Sequence, residues 1–232
     1  MFCHRCGTQV APDLQFCPNC GQSFAAAPGI WGSPPVAWTA PSGIEARTGR
    51  WIGAGWQMVK ADIGMYFVLA LVMSLVSSMV PVILHGPLLA GFHIFCMKKI
   101  LGRRAEFADL FTGFNFFVPT LVASLLISLF VSIGFILCII PGLVLTAMYM
   151  FTYLFIVDKR MDFWPAMQAS HAVVKNDYFG FTMYVLVSLL VLLLGVICCV
   201  VGVFVAIPVV IAATTVAYQE IVGFEPRTAA TL

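Results

Sequence analysis

Three long stretches of this sequence contain no Asp, Glu, Lys or Arg. They lie between Asp62 and Lys98, between Asp109 and Asp158, and between Asp177 and Glu220. A membrane-spanning helix needs about 20 apolar residues, so each stretch has room for a pair of helices and a tight turn. Composition agrees. A soluble domain carries about 25% charged residues, whereas this chain of 232 residues carries 9%, with 61% hydrophobic residues and a mean hydropathy of +1.00. No globular interior buries that much apolar side chain, so most of the surface must face lipid. A net charge of +2 gives no case for nucleic-acid binding.

The expected fold is therefore an all-α polytopic membrane protein with about six transmembrane helices. The spans are expected near residues 63–82, 88–101, 118–140, 141–157, 179–200 and 202–222. The second is short, and the turn before it is expected around His85-Gly86-Pro87. An even number of spans places all twelve basic residues on one side, from Arg5, Arg47, Arg50 and Lys60 to Arg227. The opposite turns, around His85 to Pro87, Cys138 to Gly142 and Cys198 to Gly202, carry none. Basic residues stay on the cytosolic side of a membrane. The expectation is a cell (inner) membrane protein, multi-pass, with both termini cytoplasmic. The N-terminus opens on a cysteine cluster rather than a charged region followed by an apolar run, so insertion is expected to rely on the first span.

The membrane domain reads as three repeated units. Val59-Lys60-Ala61-Asp62 precedes span one and Val174-Lys175-Asn176-Asp177 precedes span five. Gly134, Cys138 and Gly142 in the second hairpin recur as Gly195, Cys199 and Gly202 in the third. Short amphipathic stretches at 51–62, 105–117 and 163–179 introduce the hairpins and are expected to lie in the interface. The domains expected are residues 1–24, a flexible Pro/Ala/Gly-rich linker over 25–50, a helical membrane domain over 51–225 and a tail over 226–232. Trp31 and Trp38 read either as headgroup anchors or as two aromatic residues in a loose linker.

The chemistry sits at the N-terminus. Cys3-His4-Arg5-Cys6-Gly7 and Cys17-Pro18-Asn19-Cys20-Gly21 are two C-x-x-C-G knuckles. Tetrahedral zinc takes four soft ligands, and a two-residue spacer lets both sulfurs of a knuckle reach one ion. The glycine after each knuckle accommodates the turn that aims backbone N–H groups at sulfur. Cys3, Cys6, Cys17 and Cys20 are the expected ligands of a structural Zn2+, which fills its coordination sphere and leaves no open position. So few residues have too little core to fold alone, so metal binding supplies the folding energy. His4 is then a bystander.

The stretch over residues 1–24 resembles the zinc-ribbon module at the start of many bacterial membrane proteins, with Phe16-Cys17-Pro18-Asn19-Cys20-Gly21 as its second knuckle. The resemblance implies an adaptor for protein contacts. Residues 80–225 resemble the membrane domain attached to some glycerophosphodiester phosphodiesterases. The likeness is carried by Gly86-Pro87-Leu88-Leu89-Ala90-Gly91, Glu106 to Phe114, Ile140-Pro141-Gly142 and Ile156-Val157-Asp158, and by Ala166 to Ser170 leading into Val174-Lys175. The chain has no room for the soluble hydrolase domain, so that activity does not carry over.

Charged residues inside a membrane mark transport paths, and none lies mid-span here. His93 is the one deep titratable residue, expected to be hydrogen-bonded within the bundle. Ser74, Ser77, Ser78, Ser124, Ser128, Ser132 and Ser188 recur at helical spacing, where hydroxyls bond between helices or line a polar path. Cys138, Cys198 and Cys199 read either as a disulfide pair between hairpins or as small buried apolar residues. Asp158 and Asp162 flank Lys159 and Arg160, which suggests ion pairing rather than acid/base work. No nucleophile elbow, P-loop or metalloprotease motif is present. The expectation is a non-enzymatic membrane scaffold or regulatory protein whose cytosolic ribbon holds a protein partner. The alternative is a lipid-handling or small-solute channel or transporter.

Overall fold

A computed structural model describes residues 38–41, 43–79, 81–197 and 202–231. From Thr39 onward the chain forms one compact unit. Among the described residues every regular element is helical. In order these are α1 (Thr48–Ala61), α2 (Ile63–Met79), α3 (Pro81–Ile100), α4 (Asp109–Thr112), a 3-10 turn (Gly113–Phe116), α5 (Phe117–Leu137), α6 (Ile139–Tyr149), α7 (Thr152–Asp158), α8 (Phe163–Val174), α9 (Tyr178–Ile197), α10 (Val203–Ile221) and α11 (Pro226–Thr231).

Four helical runs are long and apolar enough to cross a membrane: Asp109–Leu137, Ile139–Asp158, Tyr178–Ile197 and Val203–Ile221. Helices α1 and α2 meet at a bend of 101° and make a fifth candidate if taken together. Lipid-facing character is plain on the outer faces. Leu129 of α5 is 53% exposed and Leu194 of α9 is 62% exposed, on helices with no charged side chain between their ends. Water would not tolerate that surface, whereas acyl chains do.

Helix α2 packs on α3, α5 on α6 and α9 on α10; α3 also meets α5, α6 meets α9, and α10 meets α2. Glycines set the closest approaches. A Cβ on Gly195 would fall 2.9 Å from the Gly202 carbonyl oxygen, and one on Gly202 only 2.5 Å from that of Gly195. The matching Gly134 would place its Cβ 3.0 Å from the Gly142 Cα. The glycines of the sequence repeat thus play one role twice, letting two backbones touch where the chain reverses.

Helix α1 is the expected amphipathic helix, with Trp51, Gly55 and Val59 buried at four-residue spacing. It lies on α10. A Cβ on Gly55 would meet the Val209 carbonyl oxygen at 2.7 Å and the Ala213 nitrogen at 2.8 Å. The described residues before this helix lie inside the expected linker. Ile44 is buried and the Ala46 N–H donates to Asp177 at 3.1 Å. Composition signals a loose linker, yet the distant Asp177 recruits its last residues.

Several expected boundaries need correcting. Helix α3 starts at Pro81 and runs through His85-Gly86-Pro87 without a turn. Pro81 has no need of its N–H in a first helical turn, and the one bond missing at Pro87 is tolerated within a packed bundle. Residues 105–117 form the short α4 and the 3-10 turn rather than one amphipathic helix. The run expected at 141–157 is broken between α6 and α7. Ser170 of α8 enters the break, donating to the Met148 carbonyl at 2.7 Å and accepting from the Phe151 N–H at 3.2 Å. A side chain inserted into the helical ladder is a recognised cause of such breaks. The expected tail is helix α11, tied back by Thr228, whose hydroxyl donates to the Asp158 carbonyl at 2.6 Å.

Candidate functional site

The charged residues of the helical unit sit at or near helix ends and in the connections between helices, and several pair there with one another. Lys98 at the end of α3 meets Asp109 at 2.6 Å, and the other Asp109 oxygen accepts the Glu106 N–H at 2.8 Å. Both side chains are largely buried. Losing either partner of a buried pair costs about 3–5 kcal/mol, because the other charge is stranded. Lys99 pairs with Asp62 at 2.5 Å across the α1–α2 bend. Arg47 and Arg50 each approach Glu220 at 3.3 Å, and Trp51 Nε1 donates to Glu220 Oε2 at 3.0 Å. The arginines are well exposed, so those pairs contribute little.

Asp158 is the deepest carboxylate of this face. Its side chain is fully buried, and it accepts from the Tyr218 hydroxyl and the Glu225 N–H, both at 2.9 Å. Lys159 turns away to Glu225 at 2.9 Å and stays 3.9 Å from Asp158. That ammonium holds the Glu225 carboxyl below its ordinary range, by hydrogen bond first and charge second. Asp162 caps α8, accepting the Phe163 N–H at 2.8 Å. The expectation of ion pairing thus holds weakly for Asp158, whose main partners are a phenol and a backbone amide. Asp162 acts as a helix cap.

Within the apolar layer two pairs of polar side chains join helices. His93 on α3 meets the Thr215 hydroxyl on α10 at 2.9 Å, in full burial. Tyr184 on α9 meets Thr214 at 2.9 Å. His93 is hydrogen-bonded within the bundle, as its sequence context suggests. The serines behave differently from the interhelical bonds expected of them. Ser78, Ser124 and Ser128 donate to carbonyls of their own helices at 2.7, 2.8 and 2.9 Å. Ser/Thr back-bonding of this kind satisfies a hydroxyl locally. The oxygens of Ser77 and Ser188 are enclosed and find no partner among the described residues.

Ser77 borders a cavity of about 320 Å³ between α2, α3, α9 and α10. Its walls are apolar apart from Ser74, Ser77 and His85. Those polar residues sit near the end of α2 and the start of α3, away from the charged face. The turn expected around His85 is absent: His85 stands exposed on α3, beside this cavity. The helices that meet here are far apart in sequence, which hid the cavity.

The expected zinc ligands Cys3, Cys6, Cys17 and Cys20 lie outside the described residues, as do Cys198 and Cys199. Among the described residues no cluster of His, Cys, Asp and Glu is arranged to hold a metal. Cys138 is free and exposed in the extended link between α5 and α6, neither buried nor bridged.

Residues 2–24 match the family model of the zinc-ribbon domain. The four thiolates in two knuckles fit that metal chemistry. A 140-residue portion of the chain, 60% of its length, is 29% identical to an uncharacterized protein of Mycobacterium bovis and to one of Mycobacterium tuberculosis. The match covers 42% of each of these relatives, so the chain spans well under half of their length. No solved structure matches.

Proposed function

We propose that this chain is a membrane-embedded scaffold or regulatory protein whose zinc ribbon holds a protein partner on the cytosolic side. In this reading α2, α3, α5, the α6–α7 run, α9 and α10 make six spans arranged as three hairpins. Both termini face the cytosol of the cell that carries the protein in its inner membrane. Cys3, Cys6, Cys17 and Cys20 hold a zinc ion that shapes the ribbon and leaves no position for a substrate.

One observation carries the reading. A stretch that matches the zinc-ribbon domain is joined to a helical unit whose deepest charged side chains hold its own elements together, Asp158 on Tyr218 and Asp109 on Lys98. A zinc ribbon whose four cysteines would fill the metal's coordination sphere, and a bundle whose deepest carboxylates are committed to structure, suit holding a partner better than turning over a substrate. The likeness of residues 80–225 to the membrane domain of some phosphodiesterases fits an accessory membrane part of this kind. The test is affinity purification of the full chain from gently solubilised native membranes. A stoichiometric partner should be lost when Cys17 and Cys20 are both changed to serine. Retention of every co-purifying protein by that variant removes the docking function.

A second reading, lipid handling, is favoured by the apolar cavity beside Ser77.

A further inference from the structure

We infer that the cavity between α2, α3, α9 and α10 is a binding site for one fatty acid, its carboxyl at the distal membrane surface and its chain directed toward the bilayer centre. This deepens the lipid-handling reading. It rests on the membrane placement of these helices and is independent of any partner held by the ribbon.

Three observations carry the inference. The first is the polarity gradient. Along α2 the wall runs from Ser77 through Ser74 to Met73, and along α3 from His85 to Leu89. Along α10 it continues from Ile207 to Val210. Each sequence moves away from the distal end of its helix, toward the charged face. Hydrogen-bonding groups therefore gather at the shallow end, and the deep end is wholly apolar. An amphiphile fits such a site in one orientation.

The second is the unsatisfied hydroxyl. Ser77 Oγ is enclosed without a partner among the described residues, while the neighbouring Ser78 bonds to its own helix. Burying a hydroxyl without a bond costs about 1–3 kcal/mol, and rotation of the Ser77 side chain about χ1 turns it from its enclosed position to a head group in the cavity, which removes the cost.

The third is size and charge. An apolar cavity of about 150 Å³ already takes up a benzene-sized molecule, and at roughly 30 Å³ per water-sized unit this one holds a chain of about ten such units. That is room for most of one acyl chain and not for two. No Lys or Arg lines the cavity, so the phosphate of a diacyl lipid would meet no fixed cation. A carboxyl needs only the hydroxyls and the His85 imidazole.

The experiment uses the full chain in phospholipid nanodiscs and palmitic acid bearing a mid-chain diazirine. After irradiation, labelled peptides are mapped by mass spectrometry. The site predicts saturable labelling of about one probe per chain, within 73–77, 85–89, 189–192 and 207–211, competed by unlabelled palmitate. Leu192→Trp, which fills the cavity, should reduce labelling at least ten-fold. Leu129→Trp, on the exposed face of α5, should leave it unchanged. Ser77→Ala should weaken competition by palmitate several-fold and leave competition by hexadecane as it was. That arm stands even if the tryptophan variant at position 192 fails to fold. Unsaturable labelling spread over Leu125, Leu129 and Leu194 overturns the site. So does a co-purifying phospholipid that palmitate does not displace.

Discussion

Replacing Asp158 by alanine strands a buried donor and a half-buried one at once. The Tyr218 hydroxyl and the Glu225 N–H both lose an acceptor at 2.9 Å. The Tyr218 side chain is enclosed by Phe151 at 6.1 Å and Phe155 at 5.1 Å between ring centroids, so neither water nor another acceptor takes its place readily. An unsatisfied buried donor costs about 1–3 kcal/mol, so the pair costs about 2–5 kcal/mol. For a chain of this size each kcal/mol moves Tm by roughly 2–4 °C, so Asp158→Ala should lower it by about 5–15 °C. Asp162→Ala is the internal control. It sits four residues away and removes a single exposed cap worth about 1 kcal/mol. Asp158→Asn keeps one acceptor and should fall between the two. The assay is thermal unfolding of purified protein in mild detergent, followed by helical circular dichroism. Equal shifts for Asp158→Ala and Asp162→Ala would refute the claim that Asp158 pins α10 and α11 to the end of α7.

In α1, Gly53→Ala and Gly55→Ala should have opposite signs. A Cβ at Gly53 meets nothing within 4 Å, so alanine adds about 0.5–1 kcal/mol of helix stability, whereas at Gly55 it collides with the α10 backbone and costs about 1–3 kcal/mol; the same melts read both. Glu225 has its carboxyl lowered by Lys159, so its ion pair stabilises the fold above the unfolded-state value and is lost as pH falls through the lower folded value. A pH titration of Tm should show this acid-side loss in the parent and a smaller one in Lys159→Gln, with high salt reducing the difference because Glu225 is partly exposed. Purified protein should carry one zinc per chain by metal analysis. A strong chelator should expose residues 1–24 to protease while leaving the helical melt in place, since metal binding is the ribbon's folding energy.

Much of the helical unit can be read from charge placement alone. Residues such as Lys98, Asp109 and Asp158 mark helix ends because a bilayer interior excludes them, and the structure gives each a polar partner there, Lys98 with Asp109 and Asp158 with Tyr218. The paired glycines 134 with 142 and 195 with 202 were equally legible, since only glycine allows such contact at a reversal. What local pattern hid was decided by partners far along the chain. The break after Tyr149 depends on Ser170, and the ordering of residues 44–46 on Asp177. Helix α3 absorbs Pro81 and Pro87 where turn chemistry alone suggests an ending. The place of His85 beside an apolar cavity required α9 and α10 to be in place. The zinc-ribbon module, in contrast, is legible from the spacing of its cysteines, and residues 2–24 match that domain.

The central claim is that every charged loop lies on one side of the membrane. Single cysteines at Arg103, Asp162 and Gly223 occupy the three connections after α3, α7 and α10. Each would be treated in intact spheroplasts and in inverted vesicles with a membrane-impermeant maleimide, and the labelled peptides identified by mass spectrometry so that native thiols do not confuse the result. The account predicts labelling of all three in inverted vesicles and of none in spheroplasts. One of the three labelling from the outside would contradict the even-span arrangement and, with it, the cytosolic ribbon.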